Sequence, residues 1–198
     1  MLQSGRRSEP RIESERVVLR IGSDGDAHAL LAYINRNRDY HQRWEPRVRE
    51  SFFTLEMQRR VIARRIEDFE RGEAACFLMF DRTNEGSAVI GRCNFTEIVR
   101  GPFQACYLGY SVDREYEGKG YMYEALRAAT AWVFRELRLH RIMANHRPQN
   151  ERSGRLLQRL GFEREGYARD YLFIDGEWTD HVLTALTNPH PELVEGMS

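Results

Sequence analysis

The chain has 198 residues, enough for one domain of ordinary size whose core closes without disulfides or a metal. Hydrophobic residues make up 41% and charged residues 30%, a folded rather than a disordered balance. Lys plus Arg number 30 and Asp plus Glu number 30, so net charge is zero and a strongly basic nucleic-acid binder is disfavoured.

Taken in chain order, residues 1–14 are polar and are expected to be flexible. They lack the apolar stretch of a secretory signal, and no run approaches the roughly 20 apolar residues of a membrane span. A cytoplasmic protein with no membrane partner is therefore expected. Arg16 to Ile21 is rich in β-branched residues and ends at Gly22, which predicts a strand. Asp24 is a candidate cap for a helix carrying Leu30, Leu31, Tyr33 and Ile34. Leu55, Ile62, Ile66 and Phe69 recur at helical spacing, with Arg59, Arg60, Arg64 and Arg65 between them. Those arginines read as a solvated face, or as a surface for a nucleic acid. Gly72 is a plausible stop.

The period then shortens. Ala75 to Phe80, Ala88 to Phe95 and Phe103 to Val112 predict three strands. A helix follows over Tyr121 to Leu137, with Met122, Ala125, Leu126, Ala129, Trp132 and Val133 in one stripe. Arg141 to Asn145 is strand-like. Asn150 to Leu160 is a short helix capped by Asn150 and ended by Gly161. Two closing strands, Tyr167 to Ile174 and Trp178 to Leu186, flank the turn at Asp175-Gly176-Glu177. The tail from 188 to 198 holds Pro189 and Pro191 and is expected to be disordered. The architecture predicted is α/β of the α+β kind: one domain over 15–187, a mixed and mostly antiparallel sheet with helices on both faces. Cys76, Cys93 and Cys106 sit in apolar strands and read as small buried hydrophobes. No CxxC or HExxH occurs, so no metal site is expected.

Gly118-Lys119-Gly120 lies between a strand and a helix. Such a turn exposes unpaired backbone N–H groups at the positive end of a helix, and glycines let an anion approach them. Neither a Walker A loop nor a Rossmann fingerprint is present, which disfavours ATP and NAD.

The block Glu117-Gly118-Lys119-Gly120-Tyr121-Met122 resembles the acetyl-CoA motif (Q/R)xxGx(G/A) of the GNAT superfamily of N-acetyltransferases. Glu117 replaces Gln or Arg, and Met122 replaces a small residue. A carboxylate at 117 would weaken pyrophosphate binding unless it points away. The order of elements over Arg16 to Leu186 is similar to the GNAT layout. Asn150-Glu151-Arg152-Ser153 and Leu160-Gly161-Phe162-Glu163-Arg164-Glu165-Gly166 resemble the RimJ/RimL branch. Trp44-Glu45-Pro46, Ala105 to Ser111, His140 to Asn145 and Asp180 to Leu186 extend that resemblance.

The resemblance implies acetyl transfer from acetyl-CoA to a protein N-terminus, the alanine of a small-subunit ribosomal protein. It leaves open a small-amine or other protein acceptor, or a ribosome-assembly or acyl-CoA-binding role. The oligomeric state is left open. The chemistry needs a neutral amine, a stabilised oxyanion and a protonated leaving thiolate. An α-amine, with a pKa of about 7.7–8.0, needs only a weak base. Asp170 and Glu45 are candidates for that base, with Glu97 a weaker third. Ser153 is the candidate acid, or alternatively a cap of its own helix. The resemblance implies contacts to acetyl-CoA from the backbone of 117–122, from Ser111 and Val112 beside a strand bulge, and from Asn150 and Ser153. It also places Tyr40, Trp44, Tyr167 and Tyr171 around an acceptor groove.

Overall fold

The computed structural model describes residues 10–86, 88–190, 192 and 194. Strand β3 (Ala75–Asp81) shows how the core is built. Residues 75–80 are all buried, so both faces of this strand must be covered. Phe77 and Met79 point to one face and pack with Ala125, Leu126 and Ala129 of α3 (Tyr121–Trp132). Leu78 and Phe80 point to the other and pack with Leu30 and Tyr33 of α1 (Ala27–Gln42) and Ile62 of α2 (Leu55–Glu70). Helices therefore lie on both faces of one sheet.

Among the described residues the sheet has eight strands in the order β1-β2-β3-β4-β5-β6-β8-β7. Besides β3 they are β1 (Arg11–Glu13), β2 (Val17–Ile21), β4 (Val89–Val99), β5 (Ala105–Val112), β6 (Arg141–Met143), β7 (Glu163–Ile174) and β8 (Glu177–Thr187). Every pairing is antiparallel except β5 with β6. A parallel pair needs a crossover, and this one carries the glycine turn and α3. The short helix α4 (Glu151–Arg159) lies between β6 and β7.

Several local expectations change. Residues 11–13, assigned to a flexible N-terminus, form β1 and pair with β2, with Ile12 buried. Residues 1–9 lie outside the described residues. The cap before α1 is not Asp24 but a turn in which the Ser23 amide donates to Asp26 at 2.7 Å, while Arg20 clamps Asp26 with two bonds of 2.7 Å. The helix from Tyr121 ends its α turns at Trp132 and continues to Leu137 as a wider π turn. At the start of the tail, Asn188 is buried and donates to the Leu139 carbonyl at 3.0 Å; much of the segment beyond lies outside the described residues. Gly161 ends α4 at φ 89, and Asp175 and Gly176 (φ 50 and 91) form the two-residue turn of the β7–β8 hairpin. The three cysteines are free and buried, and burial pushes Cys93 and Cys106 up to about 12, which makes them poor nucleophiles.

Candidate active site

The parallel pair opens the site. β6 matches β5 only from Ala105 to Tyr107. The chain then leaves β6 for β8, where the Ala144 amide donates to the Thr184 carbonyl and His146 bridges Val182. The second half of β5 is left without a neighbour on that side. The expected bulge in β5 is not the cause; the register shift lies in β4, between Thr96 and Val99.

Alternation decides which groups face this gap. The Asp113 amide donates to the Ile90 carbonyl of β4 at 2.8 Å, whereas the Val112 carbonyl accepts from His41 Nε2 at 3.0 Å, on the other side. The amides of Leu108, Tyr110 and Val112 therefore face the gap, and that of Ser111 faces β4. Of the two residues expected to offer backbone here, Val112 does so. Ser111 instead contributes its hydroxyl, which accepts from Tyr33 at 2.9 Å and Arg92 at 3.2 Å.

The gap opens into a cleft of about 960 Å³ between α1, β4, β5, α3 and α4. At one end is the glycine turn. Gly118 and Gly120 both adopt left-handed backbone, φ 71 and 84. Gly120 is the N-cap of α3 and has no side chain to cap it, so the first amides of the helix lack intrahelical partners and, among the described residues, a capping side chain. That arrangement fits a pyrophosphate. The Lys119 carbonyl is held by Arg16 at 3.1 Å. Glu117, Gly118, Gly120 and Met122 line the cleft, whereas Lys119 and Tyr121 do not. The Glu117 carboxylate is turned aside: it accepts from Arg152 and from Tyr40, each at 2.6 Å. Its charge is thus offset by a guanidinium, and the turn amides stay free for an anion.

Ser153 sits in the first turn of α4. Asn150 caps that helix by accepting the Ser153 amide at 3.2 Å, so the Ser153 hydroxyl is not used as a cap. It meets Tyr110 at 2.7 Å instead. Burial pushes the Tyr110 phenol up, so it stays protonated. Gly154 lets α4 approach closely: a Cβ there would lie 2.9 Å from His146 Cε1.

The floor of the cleft carries a polar network. Arg92 donates to Glu45 at 2.8 Å as well as to Ser111. His41 is held below its ordinary pKa by burial and is neutral; since a carbonyl can only accept, its proton is on Nε2. Tyr33, His41, Arg92 and Tyr110 were not singled out from the sequence, because nothing in a lone polar residue of a helix or strand says that it faces a gap. Tyr40 and Trp44 line the cleft. Tyr171 accepts from Asn145 at 3.3 Å, and the exposed Tyr167 donates to Asp180 at 2.6 Å. Asp170 does not reach the cleft. It lies exposed at φ 48, where the β7–β8 register breaks, and its amide is tied to Asp180 at 2.9 Å. Glu97 likewise sits at a β4 irregularity, at φ 52. Among the described residues no cluster of His, Cys, Asp and Glu has the makings of a metal site.

A split sheet with an uncapped glycine turn at the end of the splayed strand matches what the GNAT resemblance implies for an acyl-CoA-dependent transferase. The acetyltransferase (GNAT) domain model matches residues 16–163, and the chain belongs to this family of acetyl-CoA-dependent N-acetyltransferases. It is 48% identical over 180 residues to the Escherichia coli ribosomal protein uS5-alanine N-acetyltransferase, covering 90% of this chain and 91% of that one. The crystal structure of the ribosomal-protein-S5-alanine acetyltransferase from Vibrio fischeri superposes with a TM-score of 0.86 at 37% identity, over 91% of this chain and 97% of that one. Mycobacterium smegmatis RimJ, solved with a CoA-disulfide, shares the fold at TM-score 0.83 and 24% identity, over 93% and 88% of the two chains. Among the described residues no helix is long and apolar enough to cross a membrane.

Proposed function

We propose that this enzyme acetylates the N-terminal α-amine of a ribosomal protein, the alanine of small-subunit protein uS5, in the cytoplasm. The observation that carries the reading is the 48% identity, over nine-tenths of both chains, to the Escherichia coli enzyme named for that reaction.

Acetyl-CoA supplies the activated thioester. The backbone of Glu117, Gly118, Lys119, Gly120, Tyr121 and Met122 receives its pyrophosphate, and Asn150 and the open edge of β5 align the pantetheine arm. The Val112 amide, whose carbonyl His41 anchors from behind, is placed to stabilise the oxyanion. Ser153 delivers a proton to the leaving sulfur, with Tyr110 behind it. Glu45 holds the incoming ammonium and accepts its proton, while Arg92 fixes the carboxylate. A weak base suffices because roughly a tenth of an α-amine is already neutral near pH 7. Asp170 has no part in this reading, because it lies outside the cleft.

The test is incubation with acetyl-CoA and a peptide beginning with the uS5 alanine. One acetyl group at the α-amine, located by fragment masses, is expected. Modification confined to lysine side chains or to free small amines overturns the proposal.

A further inference from the structure

Beside the cleft lies a second cavity of about 460 Å³, between α2 and the strands β3 and β4. Arg60, Arg64, Arg65 and Asp68 of α2 line one wall, the Asp68 carboxylate being neutralised by Arg64, with Asn94 and Thr96 of β4 on the other. The three arginines are not equivalent. Arg60 is paired with Glu56 at 2.5 Å and Arg64 with Asp68 at 2.9 Å, both on their own helix. Arg65 Nη1 is buried with no hydrogen-bond partner among the described residues. Burial pushes its guanidinium down, and the charges it senses include Glu45 and Arg92 in the cleft. A guanidinium nitrogen withdrawn from water without a hydrogen-bond partner is costly, and an anion entering the cavity would offset that cost.

Asn94 lines both the cavity and the cleft, so the two lie on either side of one side chain. Asn94 Oδ1 is itself buried and unpartnered, an acceptor awaiting an N–H donor. Its partner across the ladder is Gly109, where an added side chain would meet nothing within 4 Å. The β4–β5 surface is therefore bare at this point, and an extended chain can lie against it. Arg92, Asn94 and Thr96 follow one another along one face of β4. At about 3.3 Å per residue, the path from Arg92, which holds Glu45, to Thr96 is roughly 13 Å, the reach of about four extended residues.

We propose that the cavity is an acceptor subsite that takes an acidic side chain, Asp or Glu, borne at about the third to fifth residue of the acceptor, with Asn94 receiving a backbone N–H on the way. This rests on the reading of the acceptor as a protein N-terminus. Arg65 acts here as a specificity determinant, not in the chemistry.

The test uses alanine-starting peptides that carry Glu or Gln at position three, four or five and are otherwise identical and uncharged. For the wild-type chain, kcat/KM should be about tenfold higher for Glu than for Gln at one of these positions, mostly through KM. Arg65→Met should bring the two within twofold, leave KM for acetyl-CoA unchanged, and keep the rate on the Gln peptide. Equal use of Glu and Gln peptides by the wild-type chain at all three positions overturns the subsite without a mutant being needed. So does a preference that survives in Arg65→Met. Binding of a short RNA that Arg65→Met abolishes, with no Glu preference, would assign the cavity to phosphate instead and likewise overturns it. Failure of every peptide to be acetylated, while acetyl-CoA still raises the melting temperature, is a different result: it removes the proposed acceptor, and the peptide subsite with it.

Discussion

Ser153 and Tyr110 meet at 2.7 Å where α4 crosses the open half of β5. The pairing leaves the serine hydroxyl with a protonated neighbour and no duty as a cap. Ser153→Ala is therefore expected to lower kcat on the order of 100-fold, the scale of one positioned acid, with KM for acetyl-CoA within about twofold. Steady-state kinetics in both substrates check this, and an unchanged kcat removes Ser153 from the acid role. Glu117 teaches a related point. As a letter it is a mismatch to an anion-binding motif. As a side chain it is ion-paired with Arg152 and hydrogen-bonded to Tyr40, joining the glycine turn to α4 and α1.

The element that grips the pyrophosphate works by backbone shape. Gly118 and Gly120 are both left-handed, but their surroundings differ. A Cβ on Gly118 meets nothing within 4 Å, whereas one on Gly120 lies 3.4 Å from Arg16 Nη2, and Arg16 holds the turn through the Lys119 carbonyl. Alanine at either position carries the left-handed strain of about 1–2 kcal/mol. Gly120→Ala also brings a methyl group against the end of the arginine. It is expected to raise KM for acetyl-CoA about tenfold, more than Gly118→Ala does, while kcat at saturation falls less. Titration calorimetry with CoA on the two variants decides it; equal affinities would show that the Arg16 contact is immaterial. The Arg16 link also ties the turn to β2, since the Arg16 amide and guanidinium both reach Glu124 of α3, at 2.6 and 2.8 Å.

At the scale of the whole molecule, several buried groups couple stability to pH in one direction. His41 and His181 are held below their ordinary pKa, in each case chiefly by burial. Below about pH 6.5 the unfolded chain takes up protons that the folded one refuses, so stability falls. Asp113 and Asp26 are also held low. Burial opposes this, but the Glu115 amide with Arg36 and Asn37 outweighs it at Asp113, and Arg20 with Ser23 outweighs it at Asp26. Their contribution is complete above the unfolded carboxylate pKa of about 3.9 and is lost as pH falls through the lower folded values. Urea midpoints should therefore hold steady above pH 7, decline from about pH 6.5, and drop more steeply below about pH 4. A midpoint that does not change between pH 7 and pH 5 would contradict the assignment for the histidines.

Much of this protein is legible in its sequence because the signals are local. The continuous apolar run of β3, the stripe of α3, the Asn150 cap, the Gly161 stop and the left-handed glycines of the turn each depend on a few neighbouring residues and on backbone sterics. The element order and the family resemblance followed from them. What only the tertiary structure decided depends on residues far apart in the chain. Ser111 and Val112 take different parts because register, not residue type, sets which amide faces the gap. Glu117 is relieved by an arginine 35 positions away. Asp170 is excluded because the β7–β8 register breaks beside it, and Arg65, one of four arginines on a helix that reads as a solvated face, turns out to have a guanidinium nitrogen buried without a partner. Side-chain direction and long-range pairing carry no local signature, and at this site they decide the chemistry.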